Sequence, residues 1–185
     1  MRQMIFNLFR RPRQNATIER LYGAIVAQSR RPDFYTALSV PDTIEGRFEL
    51  LLLHTFLICH RLKAEDEAGK AMSQDVFDAF LDDMDRTLRE MGVGDLSVPK
   101  RMKKIGQAFY GRTAAYDAAL AEGQAAVAAA LARNVFEVPP GDPRADRLAS
   151  YVGAAVRRLA QMPVASLAGE SAPFPAPDQP EAPYV

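Results

Sequence analysis

Met91-Gly-Val-Gly-Asp-Leu-Ser-Val-Pro-Lys-Arg-Met-Lys-Lys-Ile-Gly-Gln-Ala-Phe-Tyr-Gly-Arg-Thr-Ala-Ala-Tyr116 is the stretch on which the fold turns. Gly92 suits a left-handed helix C-cap, since it has no Cβ to clash there. Ser97 can cap the next helix, and Pro99 fits its first turn, where a missing N–H costs nothing. Met102, Ile105, Phe109, Thr113 and Tyr116 then fall along one side of a helix that can run to Glu122. Before the turn, Val76, Phe77, Phe80, Leu81, Met84, Leu88 and Met91 form the apolar stripe of a helix from about Lys70. Helix, tight turn and helix make a helical hairpin. Gly106 and Gly111 cost that second helix about 1 kcal/mol each relative to alanine, which predicts close approach of another helix or a ligand at both.

The helical period continues on either side. Ile18, Leu21, Tyr22, Ile25 and Val26 share a face of a helix starting near Asn15 or Thr17 and stopped at Arg31-Pro32. Asp33 begins a short turn through Phe34, Tyr35 and Leu38. Asp42 or Thr43 starts a long helix to about Lys63, apolar over most of its circumference and therefore central. Gly69 is expected in the loop after it. Beyond Gly123 come an alanine-rich helix to Arg133, a proline-marked loop, and a helix capped by Asp142 with Pro143 at its first position. No strand period appears. The expectation is an all-α fold, a single globular domain of about six to eight helices over residues 15–162. Residues 163–185, rich in Pro and Ala, are expected to be a disordered tail.

Composition narrows the function. Formal net charge is zero over 185 residues, which argues against a general nucleic-acid binder and against specific DNA binding. The single Cys59 excludes an intramolecular disulfide framework. The longest apolar run, Leu50–Leu53, is far short of the roughly 20 residues of a spanning helix. The expected location is cytoplasmic, with possible attachment to the cytoplasmic face of the inner membrane. Residues 1–14 offer one means of attachment. Met1, Met4, Ile5, Leu8 and Phe9 recur at helical spacing, and Arg10, Arg11 and Arg13 follow, as in an amphipathic anchor for an anionic surface. A helix packed on its own domain would show the same spacing.

Catalytic and metal motifs are weak. Asp82-Asp83-Met84-Asp85 resembles the Mg²⁺-diphosphate motif of helical isoprenoid synthases, but no second acidic cluster accompanies it, and a solvated acidic face opposite Phe77, Phe80, Leu81 and Met84 is the better explanation. His54 and Cys59 are about 140° apart on a helix, and Cys59 and His60 about 100°, so they do not converge on a metal. No nucleophile elbow or phosphate loop is present. Catalytic residues, metal and cofactors are therefore expected to be none. Lys100, Arg101, Lys103 and Lys104 stand at the start of a helix, where the macrodipole disfavours cations. That placement suggests an external anionic partner such as acidic protein, ribosomal RNA or lipid headgroups.

Four segments carry a resemblance: Asp42-x-x-x-Gly46-Arg47-Phe48-Glu49-Leu50-Leu51-x-Leu53-His54; Arg61-Leu62; Leu88-Arg89-Glu90-Met91-Gly92-Val93-Gly94-Asp95-Leu96-x-Val98-Pro99-Lys100-Arg101-Met102-Lys103; and Ala108-Phe109-Tyr110-Gly111-Arg112-x-x-Ala115-Tyr116. Together they resemble the ubiquinol–cytochrome c chaperones, assembly factors of the cytochrome bc1 complex, over about residues 15–160. The chain looks like a compact bacterial member without an obvious long transit peptide. The resemblance implies a non-enzymatic helical chaperone whose partner is newly made cytochrome b, acting near the ribosome or membrane. On this reading Phe48, Leu52, Met102, Phe109 and Tyr110 form a client face, with Asp95 from the same motif. Lys100, Arg101, Lys104 and Arg112 form its charged edge. Each aromatic has a place in the core as its alternative. Two other functions remain: an isoprenoid or quinone enzyme built on Asp82–Asp85, and a membrane-peripheral scaffold.

Overall fold

Eleven consecutive residues, Glu49 to Cys59, are buried, so the helix that carries them has neighbours on every side. In the computed structural model, which describes residues 3–169 and 173–177 (side chains from Ala16 onward), this is α3 (Ile44–Lys63). Thr43 caps it by accepting a hydrogen bond from the Gly46 amide at 3.1 Å. Around it pack α1 (Gln3–Ser29), α4 (Glu67–Glu90), α5 (Val98–Glu122) and α7 (Pro143–Gln161). The short α2 (Asp33–Thr36) and α6 (Gln124–Leu131) complete the α-helices, and no strand occurs among the described residues. The fold is all-α, within the expected number of helices.

Local chemistry explains most boundaries. Asp66 accepts from the amides of Ala68 and Gly69, so α4 starts at Glu67. Gly69 is therefore a buried residue of the first helical turn and not, as expected, part of a loop. Gly92 takes the left-handed conformation anticipated for it, at φ +78°. Ser97 makes no side-chain cap; the Gly94 carbonyl instead accepts from the Ser97 and Val98 amides. Asp142 accepts from the Arg144 amide and begins α7, and its carboxyl is held down at about 2 by hydrogen bonds from Arg144. The expected start near Asn15 is corrected: α1 begins at Gln3 and runs through both segments as one helix. The side chains of Met4, Ile5, Leu8, Phe9, Arg10 and Arg11 lie outside the described residues. Gly106 and Gly111 are a second correction as far as helices go: a Cβ at either would meet nothing within 4 Å, so no other helix of the described residues approaches closely there.

The core contains a polar chain as well as side chains such as Leu21, Ile25, Phe56 and Leu148. His54 is fully buried. Its Nδ1 lies 2.7 Å from the Leu50 carbonyl, which can only accept, so Nδ1 carries the proton. Nε2 therefore accepts from the Tyr151 hydroxyl at 2.8 Å. Gln28 Nε2 donates to the Tyr151 oxygen at 3.0 Å and to the Pro175 carbonyl at 2.8 Å. Phe34 and Phe174 set their edges against the His54 ring.

This arrangement moves the domain boundary. Pro163 does follow the end of α7, and Arg61 holds the carbonyls of Leu159 and Met162 there. The expected disordered tail from residue 163, however, misses a packed segment. Leu167 and Phe174 belong to the core, and Pro175 is hydrogen-bonded to α1. Apolar periodicity could not reveal this, because the described part of the segment holds only a three-residue 3-10 turn, Val164–Ser166, and is anchored by a backbone carbonyl.

Two outcomes are expected. Phe174→Ala lowers stability by about 3 kcal/mol in urea unfolding, an effect a solvated tail would not produce. Burial pushes the His54 imidazole from 6.5 to about 4, against the opposing bond to Leu50. Between those values the unfolded chain binds a proton that the folded chain refuses, so stability falls as pH drops through this window. The loss is on the order of 3 kcal/mol. The stability difference between the wild type and His54→Gln should vary with pH over this range and be flat above it.

Candidate functional site

A cleft of about 880 Å³ opens between the N-terminal half of α3, the C-terminal half of α4, the start of α5 and the chain that follows α6. Phe48, Leu51, Met84, Leu88, Ile105 and Phe136 line it. At its mouth stand Ile44 and Met91, 66% and 55% exposed. Two backbone features shape it. A Cβ at Gly46 would lie 2.0 Å from the Pro41 carbonyl oxygen, so only glycine lets the preceding loop fold over α3. At the far wall α6 passes into a π-helical turn, Ala132–Phe136, closed by Glu137 at φ +54°. Such turns and left-handed non-glycine residues concentrate at functional sites. This one delivers Asn134, Val135 and Phe136 to the cleft.

Polar and charged side chains share the lining with the apolar ones. Buried Glu49 accepts two hydrogen bonds from Arg112, at 2.8 and 3.1 Å. Tyr116 is almost fully buried, and burial, with Glu49 beside it, raises its hydroxyl pKa further than Asn134, Arg112 and Arg133 lower it. Asp83 accepts from the Tyr22 hydroxyl at 2.9 Å, and burial and Asp83 both keep that phenol protonated. Arg30, Arg47 and Arg101 supply positive charge around the opening.

A smaller cavity of about 370 Å³ lies on the other side of α5, between Phe56, Phe77, Phe109 and Tyr110. His60 Nδ1 and Lys63 Nζ meet Asp117 there, at 2.7 and 3.0 Å. Partial burial would raise the Asp117 pKa, but these two hydrogen bonds prevail and lower it.

The residues expected to form one client face do not share a surface. Phe48 and Arg101 line the main cleft. Leu52 and Phe109 are core residues; Phe109 stacks with Phe77 and Phe80. Met102 is half-buried against the core. Tyr110, 62% exposed, belongs to the smaller cavity. Arg112 is occupied by Glu49, and Asp95 by Arg89 at 2.5 Å. Lys100 and Lys104 face outward, away from both cavities. The cause is helical geometry: α5 touches the core along one stripe and presents different residues to the space on each side. Sequence reasoning missed Glu49, although a carboxylate within a run of buried apolar residues requires a partner. It also missed Asn134–Glu137, whose π-turn has no distinct sequence signal.

The acidic and metal motifs have structural tasks. Asp83 binds Tyr22, Asp85 pairs with Arg89, and Asp82 is exposed. His54, Cys59 and His60 go to Tyr151, Ser73 and Asp117 respectively. Burial raises the Cys59 thiol to about 11, which leaves it unreactive at neutral pH. Among the described residues no three His, Cys, Asp or Glu side chains cluster so as to hold a metal.

A family model described as Ubiquinol-cytochrome C chaperone matches residues 36–174. The chain belongs to this family. Among curated relatives of the chaperone, the ubiquinol-cytochrome-c reductase complex assembly factor 1 of Xenopus laevis is 28% identical over 76% of this chain and 70% of its own length. The mouse assembly factor 1 is 29% identical over 77% of this chain, which spans about half the mouse protein (49%). A crystal structure of the Cbp3 homolog from Brucella abortus superposes with a TM-score of 0.83 at 43% identity, covering 96% of this chain and 99% of that one. The family match contains α3, α4, α5 and the π-turn, hence nearly all of the cleft, and it ends at the buried Phe174. No helix among the chaperone's described residues is long and apolar enough to cross a membrane.

The ion pair of the cleft should behave as a unit. Glu49→Gln alone is expected to cost about 2 kcal/mol, since it strips a half-buried guanidinium of its charged partner. The double variant Glu49→Gln/Arg112→Met should recover much of that loss in a thermal-melt cycle. Strictly additive losses would show the pair to be uncoupled.

Proposed function

We propose that this chain is an assembly chaperone for ubiquinol–cytochrome c reductase that binds newly made cytochrome b, and that the main cleft receives an apolar segment of that client. The reading is carried by one observation: the cleft lies almost wholly within the family-matched region. Its chemistry suits binding. An apolar helix laid in a groove is recognised by shape and burial, and Met84 and Met91 give a wall that adapts to different side chains. The charged groups Glu49, Arg112 and Asp83 are already engaged with partners inside the protein. The action is non-enzymatic on this reading, with no cofactor. The chaperone works at the cytoplasmic face of the inner membrane, where an apolar client emerges.

Deletion of the gene is expected to lower assembled reductase and its haem b together, read by native electrophoresis and difference spectra. Normal levels of both would refute the assembly role. Photo-crosslinkers at Ile44 and Met91, both exposed at the cleft mouth, should capture cytochrome b. Ile44→Glu/Met91→Glu should cut client capture about tenfold, the effect of roughly 1.4 kcal/mol, with the melting temperature unchanged.

A further inference from the structure

The turn between α4 and α5 carries a combination that neither the core nor the cleft uses. Leu96 is 98% exposed. The Val98 amide bonds the Gly94 carbonyl, so the chain already curves helically as it enters α5. Leu96, Lys100 and Lys103, spaced by four and three residues, consequently face outward together, with Lys104 alongside. Lys100, Arg101, Lys103 and Lys104 are all exposed. Among the described residues none of the four forms an ion pair. The nearest acid along the chain, Asp95, is held by Arg89. Three unpaired lysines thus stand beside one apolar tip in a chain whose formal net charge is zero, while Arg101 turns to the cleft.

A single exposed leucine is ordinary. Its surroundings are not, because the cations stand at the positive end of a helix, where the macrodipole opposes them. An external anion would offset that repulsion. An RNA would engage the charges and leave Leu96 without a task. A lipid bilayer engages both: an apolar side chain enters the boundary between headgroups and acyl chains, while lysine and arginine stems reach lipid phosphates.

We propose that the α4–α5 turn docks on an anionic lipid surface, with Leu96 entering the headgroup boundary and Lys100, Lys103 and Lys104 meeting lipid phosphates. Met91, at the cleft mouth, lies five residues before Leu96, so docking holds that opening close to the bilayer. The proposal does not depend on the identity of the client. With one apolar side chain and three charges, attachment is reversible and sensitive to salt.

The chain contains no tryptophan, so Leu96→Trp in the full chain provides a single reporter. Its emission should shift to the blue with phosphatidylcholine vesicles containing one third phosphatidylglycerol. The shift should disappear in high salt and be absent with phosphatidylcholine alone. Adding Lys100→Ser, Lys103→Ser and Lys104→Ser should reduce partitioning on the order of a hundredfold, with unchanged melting. Failure to bind the anionic vesicles, or unchanged binding by the triple-serine variant, would overturn the proposal. So would vesicle-bound protein whose tryptophan emission remains that of water, which would assign binding to another segment such as residues 1–14. Loss of RNA binding in the triple-serine variant without loss of vesicle binding would make RNA the partner.

Discussion

A helix enclosed on every side leaves no water for its polar side chains, and the structure is built to satisfy that constraint. Within the buried run of α3 lie Glu49, His54 and Thr55. Each would cost folding free energy if left bare. Thr55 returns to its own helix through the Leu51 carbonyl. His54 donates from Nδ1 to its own helix at Leu50, but its Nε2 is satisfied only through α7, and Gln28 ties that bond to α1 and the chain after Pro163. Glu49 is satisfied only through α5. The apolar packing could tolerate modest shifts of one helix past another; these bonds fix which helices meet and in what register.

The cleft follows from the same arrangement. Arg112 must reach α3, which sets the distance of α5 from the first turns of that helix. Gly46 lets the Pro41 loop close over one end, and the π-turn after α6 builds the opposite wall. The space left is largely apolar, with Glu49 and Asp83 engaged inside it and arginines around its opening. A pocket of that kind holds a hydrophobic chain without reacting with it, the property a chaperone of membrane subunits requires.

Much of the helical order was readable because it rests on local chemistry. Thr43, Gly92, Asp142 and Pro143 act as caps or stops from their own side chains or backbone, so neighbouring residues are enough to place them. The site was less legible because its members depend on where helices lie relative to one another. Phe109 and Tyr110 are adjacent in sequence, yet one is core and the other surface. Lys100 and Arg101 likewise diverge, one outward and one to the cleft. Periodicity shows that residues share a face but not what that face meets. The hydrogen bond to the Pro175 carbonyl was beyond sequence altogether, since a backbone acceptor carries no residue signature.

The seating of Phe174 and Pro175 also bears on the order in which the protein takes shape. Gln28 and Pro175 are separated by 147 residues. Synthesis proceeds from the N-terminus, so α1 and α3 must wait for nearly the whole chain before their shared polar core closes. Until then Gln28 holds an unmet donor and the His54 ring lacks its Phe174 neighbour. The helices around α3 can gather early, but their lock is a late, long-range closure of the type that slows folding. Completion of the core thus reports that translation has passed Pro175, and a chain cut short before Phe174 would carry the cleft on an unsealed frame.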